Sequence, residues 1–144
     1  MSRKRSKSRS LATQAIYQWQ VTGDNIGEIV NGFLAEHPGG DFQIDYFQDL
    51  VRGVSSQLDV LDDGLKPLLD RPVEEVDLVE RAILRLGAYE LLKHPEVPYR
   101  VVINEWVELA KTFGADKGHK YINGVLDKLA QALRPVEVAA RKRG

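Results

Sequence analysis

Apolar residues in this chain return at intervals of three and four along almost its whole length, and its prolines and most of its glycines fall between the runs. That rhythm lines apolar side chains along one face of a helix. Nowhere does a sustained two-residue alternation argue for a strand. The densest run is Leu78, Val79, Ala82, Ile83, Leu84, Leu86, Ala88, Leu91 and Leu92, apolar on more than one side, with Asp77 and Glu80 three residues apart as a capping pair at its start. It predicts a central buried helix.

The other runs fall around it. Leu11, Ala12, Ala15, Ile16 and Trp19 predict a first helix, closed by Gly23-Asp24, which also caps the next. Ile26, Ile29, Val30, Phe33 and Leu34 predict a second, stopped by His37-Pro38-Gly39-Gly40. Asp41 is read as the cap of a third, carrying Ile44, Phe47, Val51, Val54, Leu58 and Leu61, with a break at Asp62-Asp63-Gly64, a short turn over 65–69 and Pro72 as a stop. Beyond the central helix, Pro98 leads into Val102, Ile103, Trp106, Leu109 and Ala110, and Gly114 ends that run. A last helix carries Ile122, Val125, Leu126, Leu129 and Leu133 up to Pro135. The expected class is all-α, about seven helices in two small packed bundles. The whole of 1–144 is read as one unit: a basic arm over 1–10, an N-terminal subdomain over 11–70, a C-terminal one over 73–134 and a basic tail over 135–144.

Charge narrows the function. The formal net charge is only −1, yet Arg3, Lys4, Arg5, Lys7 and Arg9 cluster at one end and leave an acidic remainder. A basic segment on an acidic body suits nucleic acid, anionic lipid or an acidic partner. The chain has no cysteine, which excludes disulfides, thiolate metal sites and Cys nucleophiles and fits a reducing compartment such as the cytoplasm. No apolar run approaches the length of a transmembrane helix. MSRKRSKSRS resembles a mitochondrial presequence in composition but holds no large apolar residue between Met1 and Leu11, so no targeting role is expected.

Catalytic motifs are missing: no GxSxG, Walker A loop, HExxH or GxGxxG. His37, His94 and His119 lie in separate segments without metal-ligand spacing, and Asp59, Asp62 and Asp63 lack the EF-hand pattern. Glu105 and Glu108 read as a solvated face or a helix–helix hydrogen bond. No enzyme activity, cofactor or metal is expected.

Two aromatics stand off the core faces. Arg3, Lys7, Ser10, Gln14 and Tyr17 share one line of the first helix, opposite Leu11, Ala15 and Trp19. Lys117, Tyr121, Gly124 and Lys128 share a line of the last helix, flanked by His119, Lys120 and Asn123. A base can stack on an exposed ring while nearby cations follow the phosphates, which suits single-stranded RNA. Tyr17 taken alone could instead pack on a neighbouring helix with its hydroxyl wet, and the second aromatic in a like setting shifts the balance toward RNA. Gly124 is compatible with a close ligand or with helix packing.

Particular residues carry a family likeness. Ile103-Asn104-Glu105, Ala110-Lys111-Thr112-Phe113-Gly114 and Tyr121-Ile122-Asn123-Gly124-Val125-Leu126-Asp127 resemble the NusB family pattern, as do 79–91 and Arg9 with 15–19. The resemblance implies two helical subdomains and a role in transcription antitermination on ribosomal RNA operons. It implies binding, together with the ribosomal protein NusE, to the boxA element of nascent RNA, within an RNA polymerase elongation complex that holds other Nus factors. By position it implies RNA contacts from Arg3, Lys4, Arg5, Lys7, Arg9, Gln14, Tyr17, Lys117, Lys120, Tyr121 and Asn123. Leu65, Leu68, Leu69, Glu80 and Arg81 would face the protein partner. A homodimer of the free protein is compatible with this. Lys117, Gly118 and Tyr121 depart from the family's usual residues. The competing reading is a helical protein-interaction module that touches no RNA; a third, the N-terminal domain of an RNA methyltransferase, lacks the glycine-rich cofactor motif.

Overall fold

The computed structural model describes residues 3–113 and 118–143, and among these the fold is all-helical. Eight α-helices follow in order: α1 (Arg3–Thr22), α2 (Ile26–Glu36), α3 (Ile44–Ser56), α4 (Leu58–Leu65), α5 (Leu78–Lys93), α6 (Tyr99–Thr112), α7 (Gly118–Leu133) and α8 (Pro135–Arg143). Two short 3-10 turns, Lys66–Leu68 and Val73–Glu75, join α4 to α5. None of these helices is long and apolar enough to cross a membrane.

Helix α5 is the axis, as its apolar periodicity predicts: every residue from Ala82 to Leu91 is buried. α1, α3, α4, α6 and α7 all pack on it. At two glycines on these helices an added side chain would collide with a neighbour. A Cβ on Gly53 of α3 would overlap the hydroxyl-bearing edge of the Tyr89 ring at Cζ, and one on Gly87 would lie 2.9 Å from Leu126 Cδ1 of α7, a methyl that can shift. The expected cap holds too, since the Asp77 carboxylate accepts from the N–H groups of Val79 and Glu80 at 3.0 and 3.2 Å.

At the other end of α5, one side chain gathers the carbonyls of the helix end and of the loop that follows. Arg134, buried between α7 and α8, donates to the carbonyls of Leu91 at 3.0 Å and His94 at 2.8 Å, and also reaches those of Glu90 and Val97. A cation at a helix C-terminus also complements its dipole. Glu137, on α8, receives the Tyr99 N–H at 2.7 Å and so caps α6.

Several boundaries differ from the sequence expectation. Residues 3–10 form the first turns of α1 rather than an arm, and 135–143 form α8 rather than a tail. Helix α3 ends at Ser56, with Gln57 as the joint, while Asp62-Asp63-Gly64 stays inside α4 because Leu61 and Leu65 anchor that turn in the core. The cap of α2 is Asn25, whose side chain accepts from the Glu28 N–H at 3.2 Å. Helix α3 has Gln43, not Asp41, at its N-cap position.

Candidate nucleic-acid interface

Helix α1 sorts its cations by depth. Arg3 and Lys4 are exposed, Lys7 is half-buried, and Arg5 lies partly down, donating from Nε to Gln43 Oε1 at 3.3 Å with its guanidinium 4.5 Å above the Tyr46 ring. Arg9 corrects the sequence reading. It is wholly buried: Nε and Nη2 donate to Glu90 at 3.0 and 2.6 Å and Nη1 to Glu105 at 2.9 Å. Glu90, equally buried, also accepts from the Tyr46 hydroxyl and from Trp106 Nε1 at 2.8 Å. Four helices meet at that carboxylate, and Arg9 has no free face for a phosphate. Burial and the Glu90 charge push the Tyr46 hydroxyl well above its ordinary pKa. Glu105 thus makes the helix–helix bond expected of it, and Glu108 pairs on the surface with Lys111 at 3.0 Å.

Further along α1, Gln14 and Tyr17 face outward, Tyr17 with 41 % of its surface exposed. Their setting was not visible in the sequence. They border an apolar groove of about 520 Å³ completed by Thr13, Gln18, Val21, Thr22, Phe33, Val79 and Phe113. The groove gathers α1, α2, the start of α5 and the end of α6, residues far apart in the chain. Only the outward position of Tyr17 announced it.

Tyr121 is placed differently. It is half-buried, its hydroxyl accepts the Asp70 N–H at 3.2 Å, and the Arg71 guanidinium stands 5.7 Å from its ring centroid. Arg71 in turn holds Asp70 by two hydrogen bonds at 2.8 and 2.9 Å, which keep the Asp70 carboxyl below the usual range. Glu80 belongs to the same neighbourhood: burial and the nearby Asp77 raise its pKa, and the Arg71 charge opposes them. The first turn of α5 therefore separates the two aromatics, Val79 lining the Tyr17 groove and Glu80 adjoining the Arg71–Tyr121 pair. Arg71 is a residue sequence reasoning missed, as nothing in its local pattern distinguishes it.

The remaining residues divide. Lys120 and Asn123 are exposed on α7 beside Tyr121, while Lys117 lies outside the described residues. A Cβ on Gly124 would meet nothing within 4 Å, so helix packing does not account for that glycine. Leu68 and Leu69 are half-buried, but Leu65 is fully buried and cannot face a partner, which corrects its assignment. The reason is the same anchoring that keeps α4 helical through Gly64. Arg81 is partly structural, donating from Nη2 to the carbonyls of Glu74 at 2.7 Å and Val76 at 2.8 Å.

Known proteins match the chain over most of its length. The NusB family profile matches residues 6–131. The transcription antitermination protein NusB of Nitrosococcus oceani is 53% identical over 143 residues, 98% of this chain and 95% of that protein. Its counterpart in Shewanella amazonensis is 54% identical over 125 residues, 87% of this chain and 93% of that protein. Among solved structures, T. maritima NusB superimposes with a TM-score of 0.82 at 26% identity, covering 96% of this chain and 99% of that one. A NusB solved with NusE and double-stranded RNA gives 0.79 at 30% identity over 92% and 99%. With the family profile covering most of the chain and relatives more than half identical along nearly all of it, the chain belongs to the NusB family of transcription antitermination proteins.

Proposed function

We propose that this protein binds single-stranded boxA-type RNA together with NusE and, within the RNA polymerase elongation complex and beside other Nus factors, promotes transcription past terminators. The observation that carries this reading is Tyr17: an exposed ring with Gln14 beside it on the same face, on a helix whose first turns present Arg3 and Lys4 to solvent. A ring so placed offers a stacking surface, the amides offer donors and acceptors to base edges, and the cations favour phosphates. Tyr121, with Lys120 and Asn123, supplies a second contact beyond the first turn of α5. The solved relative that holds NusE and double-stranded RNA supports NusE and RNA as classes of partner, while the choice of single strands rests on the exposed Tyr17 ring.

On this reading, residues 11–70 and 73–134 act as two helical subdomains of one unit, the first contributing Tyr17 and the second Tyr121. Glu80 and the half-buried Leu68, Leu69 and Arg81 face NusE. The protein works in the cytoplasm as a binding factor without catalysis. The test is a titration of boxA-like and scrambled RNA against wild type and Tyr17→Ala, with and without NusE. Loss of one stacked base lowers affinity by about 1–3 kcal/mol, roughly 5- to 150-fold, on the boxA-like RNA. Equal binding by both proteins overturns the stacking role. Capture of NusE with no RNA binding by wild type, alone or with NusE, favours a pure protein-interaction module.

A further inference from the structure

The molecule carries a second group of exposed cations that the Tyr17 and Tyr121 sites do not use. Arg100, Arg141 and Lys142 line an open cleft of about 530 Å³ whose other walls are Tyr99, Asp127, Gln131 and Val138. All three are exposed, as is Arg143 one residue on, and none of the four makes a hydrogen bond or ion pair among the described residues. Asp127 is the single carboxylate in the lining.

Helix physics accounts for part of this group. Arg141, Lys142 and Arg143 occupy the last turn of α8, where a cation complements the dipole. Arg100 has no such reason. It lies in the first turn of α6, where the dipole disfavours a cation, and that helix end is already capped by Glu137. On the other side of the same turn lies a second, more apolar cleft, where Arg5 and the inward-turned Arg9 of α1 and Gln43 stand with Glu96, Val97, Pro98 and Val101. The first turn of α6 is thus a ridge with Arg5 of α1, beside Glu96, on one flank and the basic end of α8 on the other.

We propose that this ridge and the last turn of α8 carry the sugar–phosphate backbone of the bound RNA beyond the bases held near Tyr17, as a sequence-independent extension of the site. The inference rests on the RNA-binding reading above. Phosphate is favoured over a protein partner because the cleft lacks an aromatic or aliphatic anchor: Tyr99 is buried and the rest of the lining is mainly charged or amide. Backbone contacts need only long cations free to follow a chain.

The test uses the triple variant Arg100→Gln/Arg141→Gln/Lys142→Gln of the full chain, its fold checked by circular dichroism. Three RNAs are titrated: a boxA-like strand of about 12 nucleotides, and the same strand with an unstructured extension of similar length at its 5′ end or at its 3′ end. Wild type gains affinity from one extension, and the variant loses that gain while binding the short strand as before. Three phosphate contacts at about 0.7 each change the slope of log affinity against log salt by about 2, so between 50 and 200 mM salt wild type loses about 20-fold more affinity for the extended RNA than the variant does. Two extensions that both give wild type nothing, or a variant that weakens on all three strands equally, overturn the proposal. Displacement of polyglutamate by the substitutions, with RNA binding unchanged, also overturns it and assigns the cleft to an acidic protein. If wild type binds none of the strands, with or without NusE, the RNA-binding reading itself has failed.

Discussion

Replacing Arg9 by Met separates a structural role from an RNA contact. The change removes three donors aimed at carboxylates, two on Glu90 and one on Glu105, and leaves Glu90 fully buried with only the neutral donors of Tyr46 and Trp106. Stranding one member of a buried ion pair costs about 3–5 kcal/mol. For a single domain with a urea m value of about 2 kcal/mol/M, the unfolding midpoint should drop by about 2 M at nearly constant m. A surface phosphate ligand would instead move stability by no more than about 0.5 kcal/mol. The double variant Arg9→Met/Glu90→Gln supplies the contrast, because Gln keeps an acceptor for Trp106 while removing the stranded charge. It should regain at least half of the lost stability. At a temperature where the single variant is fully folded, the salt dependence of its RNA binding should match that of wild type, since Arg9 neutralises no phosphate. A midpoint shift worth less than about 1 kcal/mol, or a double variant less stable than the single one, would refute the reasoning.

Other outcomes follow from the same packing. Gly53→Ala drives a methyl into Tyr89 and should destabilise by at least about 1–3 kcal/mol in thermal or urea unfolding, whereas Gly124→Ala, with open space around it, should be neutral or slightly stabilising. Asp77→Ala removes the α5 cap and should cost about 0.5–2 kcal/mol by the same measurement. Burial and the hydrogen bond to Asp49 push the Tyr89 hydroxyl up to about 12, so the folded state prefers it protonated. Its contribution is complete below pH 10, where the unfolded chain begins to ionise, and is lost as pH rises toward 12; Tyr89→Phe should flatten the stability profile across that window.

Legibility in the sequence followed the range of the interactions. Helix α5, its Asp77 cap and the outward positions of Gln14 and Tyr17 depend on neighbours within a turn or two, and periodicity alone located them. Arg9 reads as one more cation of a basic run because the residue that buries it lies 81 positions away. The joint at Gln57 is hidden for a related reason: Val54 and Leu61 are seven apart, so the apolar stripe continues through a change of helix. Leu65 could be an interface leucine or a core leucine by pattern, and only the packing of α4 decides. The Tyr17 groove draws Phe33, Val79 and Phe113 from three other helices, and no local signal announces such a meeting.

The clasp of Arg134 on the end of α5 has a consequence for how the protein is made. The carbonyl of Leu91 is synthesised some forty residues before the guanidinium that satisfies it, whereas that of His94 already accepts the Val97 N–H. During translation the C-terminal end of the axial helix must wait open until α7 has emerged behind it, so closure of the core is a late event. A chain that ends before Arg134 would hold every apolar face of α5 and yet lack the donor that closes its C-terminal end, so that end should fray more readily than the rest of the helix.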